Sequence, residues 1–477
     1  MPSFETMEGH LRTNHVEMCK MRINNLQGMK NLLFFALIIA TLASCVGGNR
    51  GELTGVQPRE DWIQYNPYGM NYIHFGSYVM GPDDQDVPYA HVNNSKRVTV
   101  SAFYMDDTEI SNNEYRQFVY WVKDSIAHRY LGEAGIGEHV IEEDQYGDVI
   151  DPPIINWKEK IDWNGEEERE ELEDLFLPEY ERFYRRKEID TRKLKFEYYW
   201  IDLQEAARKG GRDLDLSYTN VKGQNNAIQG HSDRSKFIIR EVINVYPDTL
   251  VWVHDYTYAF NEPMTEMYFW HPAYDNYPVV GVTWTQAKAF NVWRTQLLSD
   301  YKLQNGETFV QRFRLPTESE WEYAARGGLE KSPYPWGGPY IRNILGCPLA
   351  NFKPQRGDYI DDDGVQTVDV RSYEPNGFGL FCMSGNVAEW TNTAYDESVY
   401  EFAHDLNAEY QYDALADDPP SLKRKVVRGG SWKDVAYYLQ NGTRSYEFQD
   451  TAKCYIGFRS VMSYLGRGKT GNPSDWN

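Results

Sequence analysis

The sequence predicts an ordered, loop-rich α+β fold, and three observations carry that prediction. The stretch Arg314–Gly328 reads as a complete helix with both ends written into it. The stretch from Tyr72 to Phe103 reads instead as short strands broken by Gly and Pro. Aromatic residues make up 15% of the 477-residue chain, with 14 Trp and 36 Tyr, which favours a packed interior over disorder. The net charge of -22 argues against a nucleic-acid partner, because a phosphate backbone would be repelled. That charge serves either solubility alone or the choice of a protein partner.

Taken in order, the chain opens with a targeting segment. Lys30 begins a short basic region, Leu32 to Ala40 is apolar, and Leu42-Ala43-Ser44-Cys45 has the small residues that a lipoprotein signal peptidase requires before its cysteine. The apolar run is too short to span a bilayer, which takes about 20 residues. Residues 1–44 are therefore read as leader and lipoprotein signal peptide, with 1–28 an over-extended start and Met29 the initiator. Residues 45–65 are a tether lipidated at Cys45, 66–465 the folded domain with an insertion at about 122–275, and 466–477 a C-terminal tail. Acyl chains on Cys45 anchor such a protein without a span. Val46, where an Asp would retain it at the inner membrane, directs the expectation to the outer membrane, facing the periplasm.

Within the domain, Ile73-His74-Phe75, Ser77–Gly81 and Arg97–Phe103 alternate as half-buried strands do. Ser111 and Glu114 form a capping box, and the helix they open buries Tyr115, Phe118 and Val119 on one face. In the insertion, the charge run Glu166–Asp174 is the solvated face of a helix, followed by Tyr180, Phe183 and Tyr184 at helical intervals. Arg185, Arg186 and Lys187 supply the opposite sign. Aromatics mixed with blocks of both charges predict an interaction surface, with Phe183, Tyr184, Arg185 and Arg186 as its contact residues. Tyr246–Val253 closes the insertion as a strand. In Arg314–Gly328, Thr317 and Glu320 form a second capping box, and Glu318 adds negative charge at the positive end of the helix dipole. Trp321, Ala324 and Ala325 make one small-residue face that lets another backbone approach, and Gly327-Gly328 stop the helix. Of five cysteines, Cys347, Cys382 and Cys454 lie in the domain. No metal spacing and no Cys-x-x-Cys occurs, and buried small hydrophobes are the expected role.

Six ordered motifs carry a family resemblance. They are Thr108–Asn112 with Tyr115 and Phe118; Pro278–Trp284; Arg314–Gly328; Tyr334–Gly337; Asn376–Leu380 running into Gly385–Trp390; and Arg428–Trp432, closed by Gly457–Arg459. Together they resemble the formylglycine-generating-enzyme (sulfatase-modifying-factor) domain, which implies a C-type-lectin-like α+β fold with little regular structure. The lipobox, the large insertion and the segment Asn261–Pro272 add a narrower resemblance to the gliding-motility lipoproteins of type IX secretion, of the K (PorK) type. The J type shares the domain. That resemblance implies a homo-oligomeric periplasmic ring built with a partner like gliding protein N (PorN) and other secretion components.

The same resemblance locates the family's chemistry. Catalytic members hold copper with two cysteines after Gly-Gly-Ser, and soft thiolates suit Cu(I) where oxygens do not. Aligned from Gly429-Gly430-Ser431, those positions are Asp434 and Leu439. The resemblance thus implies a non-catalytic domain, with no catalytic residues and no required cofactor. The rivals are an oxidase using Cys454 and Cys382, and a lectin-like binding module. A family calcium would fall on Asn351, Phe352, Asp363 and Val365, within the carboxylate cluster Asp361-Asp362-Asp363-Gly364 of a kind that hard cations use. A second would fall on Gly385, Val387 and Glu389, with Cys382 where an oxygen ligand belongs.

Overall fold

Three capped helices set the frame. In the computed structural model, which describes residues 64–82, 94–144, 146–207, 237–256, 263–307, 310–355, 357–415 and 417–466, they are α1 (Asn112–Glu133), α2 (Trp284–Gln304) and α3 (Glu318–Arg326). The leader, Cys45 and the tether as far as residue 63 lie outside the described residues, as does the tail beyond 466. Each helix begins with a reciprocal capping box: Ser111 with Glu114, Thr283 with Gln286, and Thr317 with Glu320. A capping residue of this kind is worth about 1 kcal/mol. Among the described residues no helix is long and apolar enough to cross a membrane.

Two small sheets complete the frame. One has the order β1 (Met70–Ile73), β4 (Phe103–Asp106), β14 (Val461–Ser463) and β9 (Phe313–Arg314), all antiparallel. The other has the order β12 (Ser445–Phe448), β11 (Arg424–Arg428), β10 (Ala388–Ala394) and β13 (Ile456–Gly457), with β10 and β13 parallel. Three hairpins flank them: β2 (Gly76–Met80) with β3 (Lys96–Val100), β5 (Val140–Glu143) with β6 (Val149–Ile155), and β7 (Lys195–Ile201) with β8 (Ile238–Asn244).

The main core packs α1 against α2 and the β7–β8 hairpin. Tyr115, Phe118, Val119 and Val122 meet Trp284, Phe290 and Trp293, while Phe196 and Tyr198 enter from the hairpin. The Phe118 ring lies 5.3 Å from Phe196 and 5.2 Å from Trp293. Each such side chain contributes roughly 1.5–3 kcal/mol by leaving water. The β7–β8 part of the insertion is thus an integral wall of the core, separate from the expected contact residues Phe183, Tyr184, Arg185 and Arg186.

Two local expectations are corrected. Tyr246–Val253 is no strand: Asp248 turns the chain by accepting from the Leu250 amide (2.9 Å), and Val251–Asp255 is a short helix that buries Trp252. Burial of that indole overrides the β preference of the two valines. After the solvated helix Glu166–Glu171, the helical spacing of Tyr180, Phe183 and Tyr184 does not produce a helix. Pro178 opens one short turn, Glu179–Glu181, and Tyr184 takes φ 48° in the next, so the chain folds as separate 3₁₀ turns.

Helix α3 is buried on every side, including its charged residues. Gly327 ends it at φ 56°, and a Cβ there would stand 2.8 Å from the Gly377 amide, so another backbone comes close at the C-terminal end of the helix. Glu318 is bound by Arg444 and Arg428, and Glu322 by Arg428 and Arg326. Burial alone would raise the Glu318 pKa, but Arg444 and Arg428 hold it below the ordinary range. This stabilisation is present above the ordinary glutamate pKa and is lost as pH falls through the depressed folded value. Arg428→Ala takes one of two buried guanidinium partners from each of Glu318 and Glu322 and empties a fully buried site, and should cost about 3–5 kcal/mol. Arg97→Ala, which breaks an exposed pair with Glu330, should cost under about 1 kcal/mol. Urea unfolding of both variants checks this, and equal losses would show that burial is not what makes the α3 network matter.

Candidate functional site

The segment after β11 is shaped by two glycines. Gly429 (φ 93°) and Gly430 (φ 67°) are both left-handed, and a Cβ on Gly430 would stand 2.8 Å from the Tyr438 carbonyl. Any side chain there would displace the turn. Ser431 follows and donates its hydroxyl to the Asp434 carboxylate (2.6 Å). The Asp434 amide closes back on the Ser431 carbonyl, and its own carbonyl accepts from the Lys353 amide. Burial raises the Asp434 pKa. Leu439 is fully buried with Tyr334, Ala350 and Phe352, and its carbonyl accepts from Ser384 (2.7 Å). A carboxylate tied to a turn and an aliphatic core residue therefore occupy the two positions.

Beside this segment stands a cluster that sequence reading missed. The Cys454 thiol donates to Asp255 (2.7 Å), which also pairs with Lys433. Trp432 stacks on Trp252 with ring centroids 5.9 Å apart, and its indole N–H donates to the Cys454 carbonyl. Burial and the hydrogen bond to Asp255 push the Cys454 thiol far up, which disfavours the thiolate that a nucleophile needs. Burial likewise raises Cys382, helped by Glu109, and its Sγ faces the Val370 carbonyl at 3.5 Å. Asp255 lies just past the expected strand Tyr246–Val253, and no sequence pattern places it beside Cys454.

The calcium positions divide into two cases. Asn351 is buried, and its side-chain oxygen accepts no hydrogen bond in the structure. The missing Cβ of Gly364 leaves room beside that oxygen, since a Cβ would stand 3.0 Å from it. An oxygen without a donor is what a hard cation could satisfy, so the residues fit one. The carboxylate packed here is Asp362, which accepts from the Phe352 amide (2.7 Å), whereas Asp363 is exposed with φ 65°. Val365 is also exposed. The second set differs. Both oxygens of Glu389 are held by Arg459 at 2.6–2.9 Å, and Trp321 donates to one of them (2.7 Å). Buried Glu109 accepts from the Val387 amide and from Asn386. With Cys382 as a thiol, Gly385, Val387 and Glu389 offer no free carboxylate, and a calcium does not fit. Among the described residues no three His, Cys, Asp or Glu side chains converge as a metal-holding group.

The sulfatase-modifying factor enzyme 1-like domain model matches residues 63–464. The chain belongs to this family. It is 31% identical to the formylglycine-generating enzyme of Mus musculus over 202 residues, covering 40% of this chain and 45% of that one. It is 32% identical to the inactive C-alpha-formylglycine-generating enzyme 2 of Mus musculus over 198 residues, or 40% and 51% of the two chains. The matched region thus spans about half the length of these curated relatives. The solved structure of PvdO from Pseudomonas aeruginosa aligns over 86% of this chain and 100% of its own at 16% identity and a TM-score of 0.42.

Away from these family positions, the insertion carries the residues predicted to meet a partner. Tyr180 and Tyr184 are 86% and 81% exposed, and Arg185 and Arg186 are exposed beside them. The Phe183 side chain lies outside the described set. The base of this loop is fixed: Arg182 and Lys187 both pair with Glu173, and the Lys187 ammonium lies 4.2 Å from the Phe176 ring centroid.

The three domain cysteines differ in accessibility: Cys347 is exposed, whereas Cys382 and Cys454 are buried, and all are free. Alkylation followed by peptide mapping should modify Cys347 in the native protein and reach Cys382 and Cys454 only after denaturation. Native labelling of Cys454 as fast as Cys347 would overturn the assignment of a protonated, buried thiol.

Proposed function

We propose that this chain is a non-catalytic structural lipoprotein of type IX secretion and gliding motility, similar to gliding-motility lipoprotein K (PorK). In this reading Cys45 is acylated and holds the domain on the periplasmic side of the outer membrane. There it forms a homo-oligomeric ring with a partner like gliding protein N (PorN). The observation that carries the non-catalytic part is the occupation of the copper-ligand positions by Asp434 and Leu439, one tied to Ser431 and the other buried as core. Against Cys454 and Cys382 as replacements stand their separate partners, Asp255 for one and the Val370 carbonyl for the other, and the burial that raises both thiols. The domain then acts as a rigid C-type-lectin-like scaffold, and the exposed loop with Tyr184, Arg185 and Arg186 supplies the partner contact. Aromatic and arginine anchors of this kind carry about 2 kcal/mol or more each at interface hot spots.

The experiment compares two sets of alanine substitutions by co-purification with the partner from outer-membrane fractions. One set replaces Phe183, Tyr184, Arg185 and Arg186, and the other Lys433, Asp434 and Tyr438. Circular dichroism first establishes that each variant is folded. The loop set should abolish co-purification and the second set should preserve it, while Cys45→Ala should leave the protein unacylated and absent from the fraction. Loss of binding in the second set alone would place the docking site at the segment after β11.

Calcium at Asn351 and the Phe352 carbonyl, with Asp363 and the Val365 carbonyl completing the family's ligand set, is the accompanying proposal. The unpartnered Asn351 oxygen supports it, and buried Asp362 is the carboxylate nearest Phe352. Bound ion at 100-fold over its Kd would stabilise the domain by about 2.7 kcal/mol. Calcium should raise the wild-type Tm and chelator lower it. Asn351→Ala should abolish the response, and comparing Asp362→Ala with Asp363→Ala identifies the ligand. An unchanged calcium response in all three variants would remove the site.

A further inference from the structure

Outside the family site, one buried titratable pair is used by nothing described so far. His128, near the end of α1, and His139, at the entrance of the β5–β6 hairpin, place their Nδ1 atoms 2.9 Å apart. Both residues are buried, at 3% and 4% exposure, with ring centroids 4.9 Å apart. At that separation one ring must donate a hydrogen and the other accept it. A neutral pair satisfies this, and so does a pair sharing one added proton. A second proton leaves two donors and two positive charges face to face.

The surroundings tie that contact to one movable element. Ala134–Glu138 joins α1 to the hairpin, and it contains Gly135 (φ 74°) and Gly137 (φ 64°). The hairpin itself rests on α1 at three points. Val140 packs where a Cβ on Gly132 would stand (2.6 Å away), Trp157 stacks on Trp121 (5.2 Å), and Trp157 meets His128 edge-on (5.4 Å). Asn156 closes the base by bonding the carbonyls of His139 and Glu138. The outward face carries exposed Ile141, Val149 and Ile154, so it adds little burial to hold the hairpin down.

We propose that the His128–His139 pair is a proton-operated latch, which holds the β5–β6 hairpin on α1 near neutral pH and releases it on acidification. The facing charges set its behaviour. Asp124 on α1 and Glu159 after β6 favour a proton on His128, while Lys123 lies 3.1 Å from Asp124 and offsets part of its charge. Burial and His139 outweigh the two carboxylates and lower the His128 pKa. A group of depressed basicity keeps the latch closed through neutrality, and the latch opens as pH falls below the ordinary histidine range. This inference does not depend on the proposed partner or anchor.

Peptide-resolved hydrogen exchange on the full-length protein tests it, comparing about pH 7.5 with about pH 5 after correction for the chemical exchange rate. Exchange across residues 138–157 should rise at least about tenfold more than across α3, which has no histidine. In His139→Gln, where an amide keeps a neutral hydrogen-bonding partner for His128, that selective rise should fall away. Exchange at the His128 C2 position of the wild type reads its titration directly, so the idea remains testable even if the variant folds poorly. Unchanged hairpin protection in the wild type, an equal rise in His139→Gln, or a His128 titration at the ordinary histidine value would each overturn the latch.

Discussion

The buried charges of α3 are the constraint on which the rest of the domain depends. A nine-residue helix with no exposed side can carry Glu318, Glu320, Glu322 and Arg326 only if each meets an opposite charge. The partners come from distant parts of the chain: Arg314 just before the helix, Arg428 at the end of β11, and Arg444 just before β12. Removing ions from water costs several kcal/mol each, and their attraction offsets this only when geometry and remaining hydrogen bonds are complete. Glu318 and Glu322 share Arg428, so their ion pairs are coupled, while Glu320 pairs with Arg314. The network therefore specifies one arrangement of α3 against the second sheet more than it adds net stability.

That arrangement reaches the glycine turn after β11 and the neighbouring strand. The glycine turn after β11 follows Arg428 directly, so the ion network that fixes α3 also fixes Gly429 and Gly430. Glu389, on the neighbouring β10, is held by Arg459 and Trp321, which ties α3 to the chain end through a second buried pair. Neither network includes Asp434 or Leu439. A buried leucine instead gains packing against Tyr334 and Phe352. The ion pairs that fix the glycine turn therefore do not run through Asp434 or Leu439.

How much of this was legible depended on the range of the signal. The capping boxes at Ser111 and Thr317 and the stop at Gly327 could be read because each is complete within a few residues. The β2 and β3 strands were legible by alternation, although Arg97–Phe103 breaks at Ser101-Ala102 into β3 and β4. What failed was decided by contacts far apart in sequence. Trp252 draws Val251–Asp255 into a helix because it packs on Tyr268 and Trp432, which no local pattern announces. At the calcium position the cluster was visible, but three adjacent aspartates share one sequence signal. Only the backbone's left-handed turn at Asp363 separates the exposed carboxylate from the buried Asp362. The Asp255–Cys454 and His128–His139 contacts had no sequence signature, since each joins separate elements.

The insertion shows the same division within one segment. Its β7–β8 hairpin is bound as a core element, through Phe196 and Tyr198 against α1 and α2, and can move only at the cost of exposing that core. The Glu173-clamped loop is fixed at its base by ion pairs and a cation–π contact while its aromatic tip faces solvent. The β5–β6 hairpin is attached through Val140 against Gly132, stacked aromatic rings and one histidine pair. Attachment by apolar burial is insensitive to pH, whereas attachment through paired imidazoles is not. The extra sequence has therefore been joined to the scaffold by three different physical means, and only the last of them responds to protons in the range where histidine titrates.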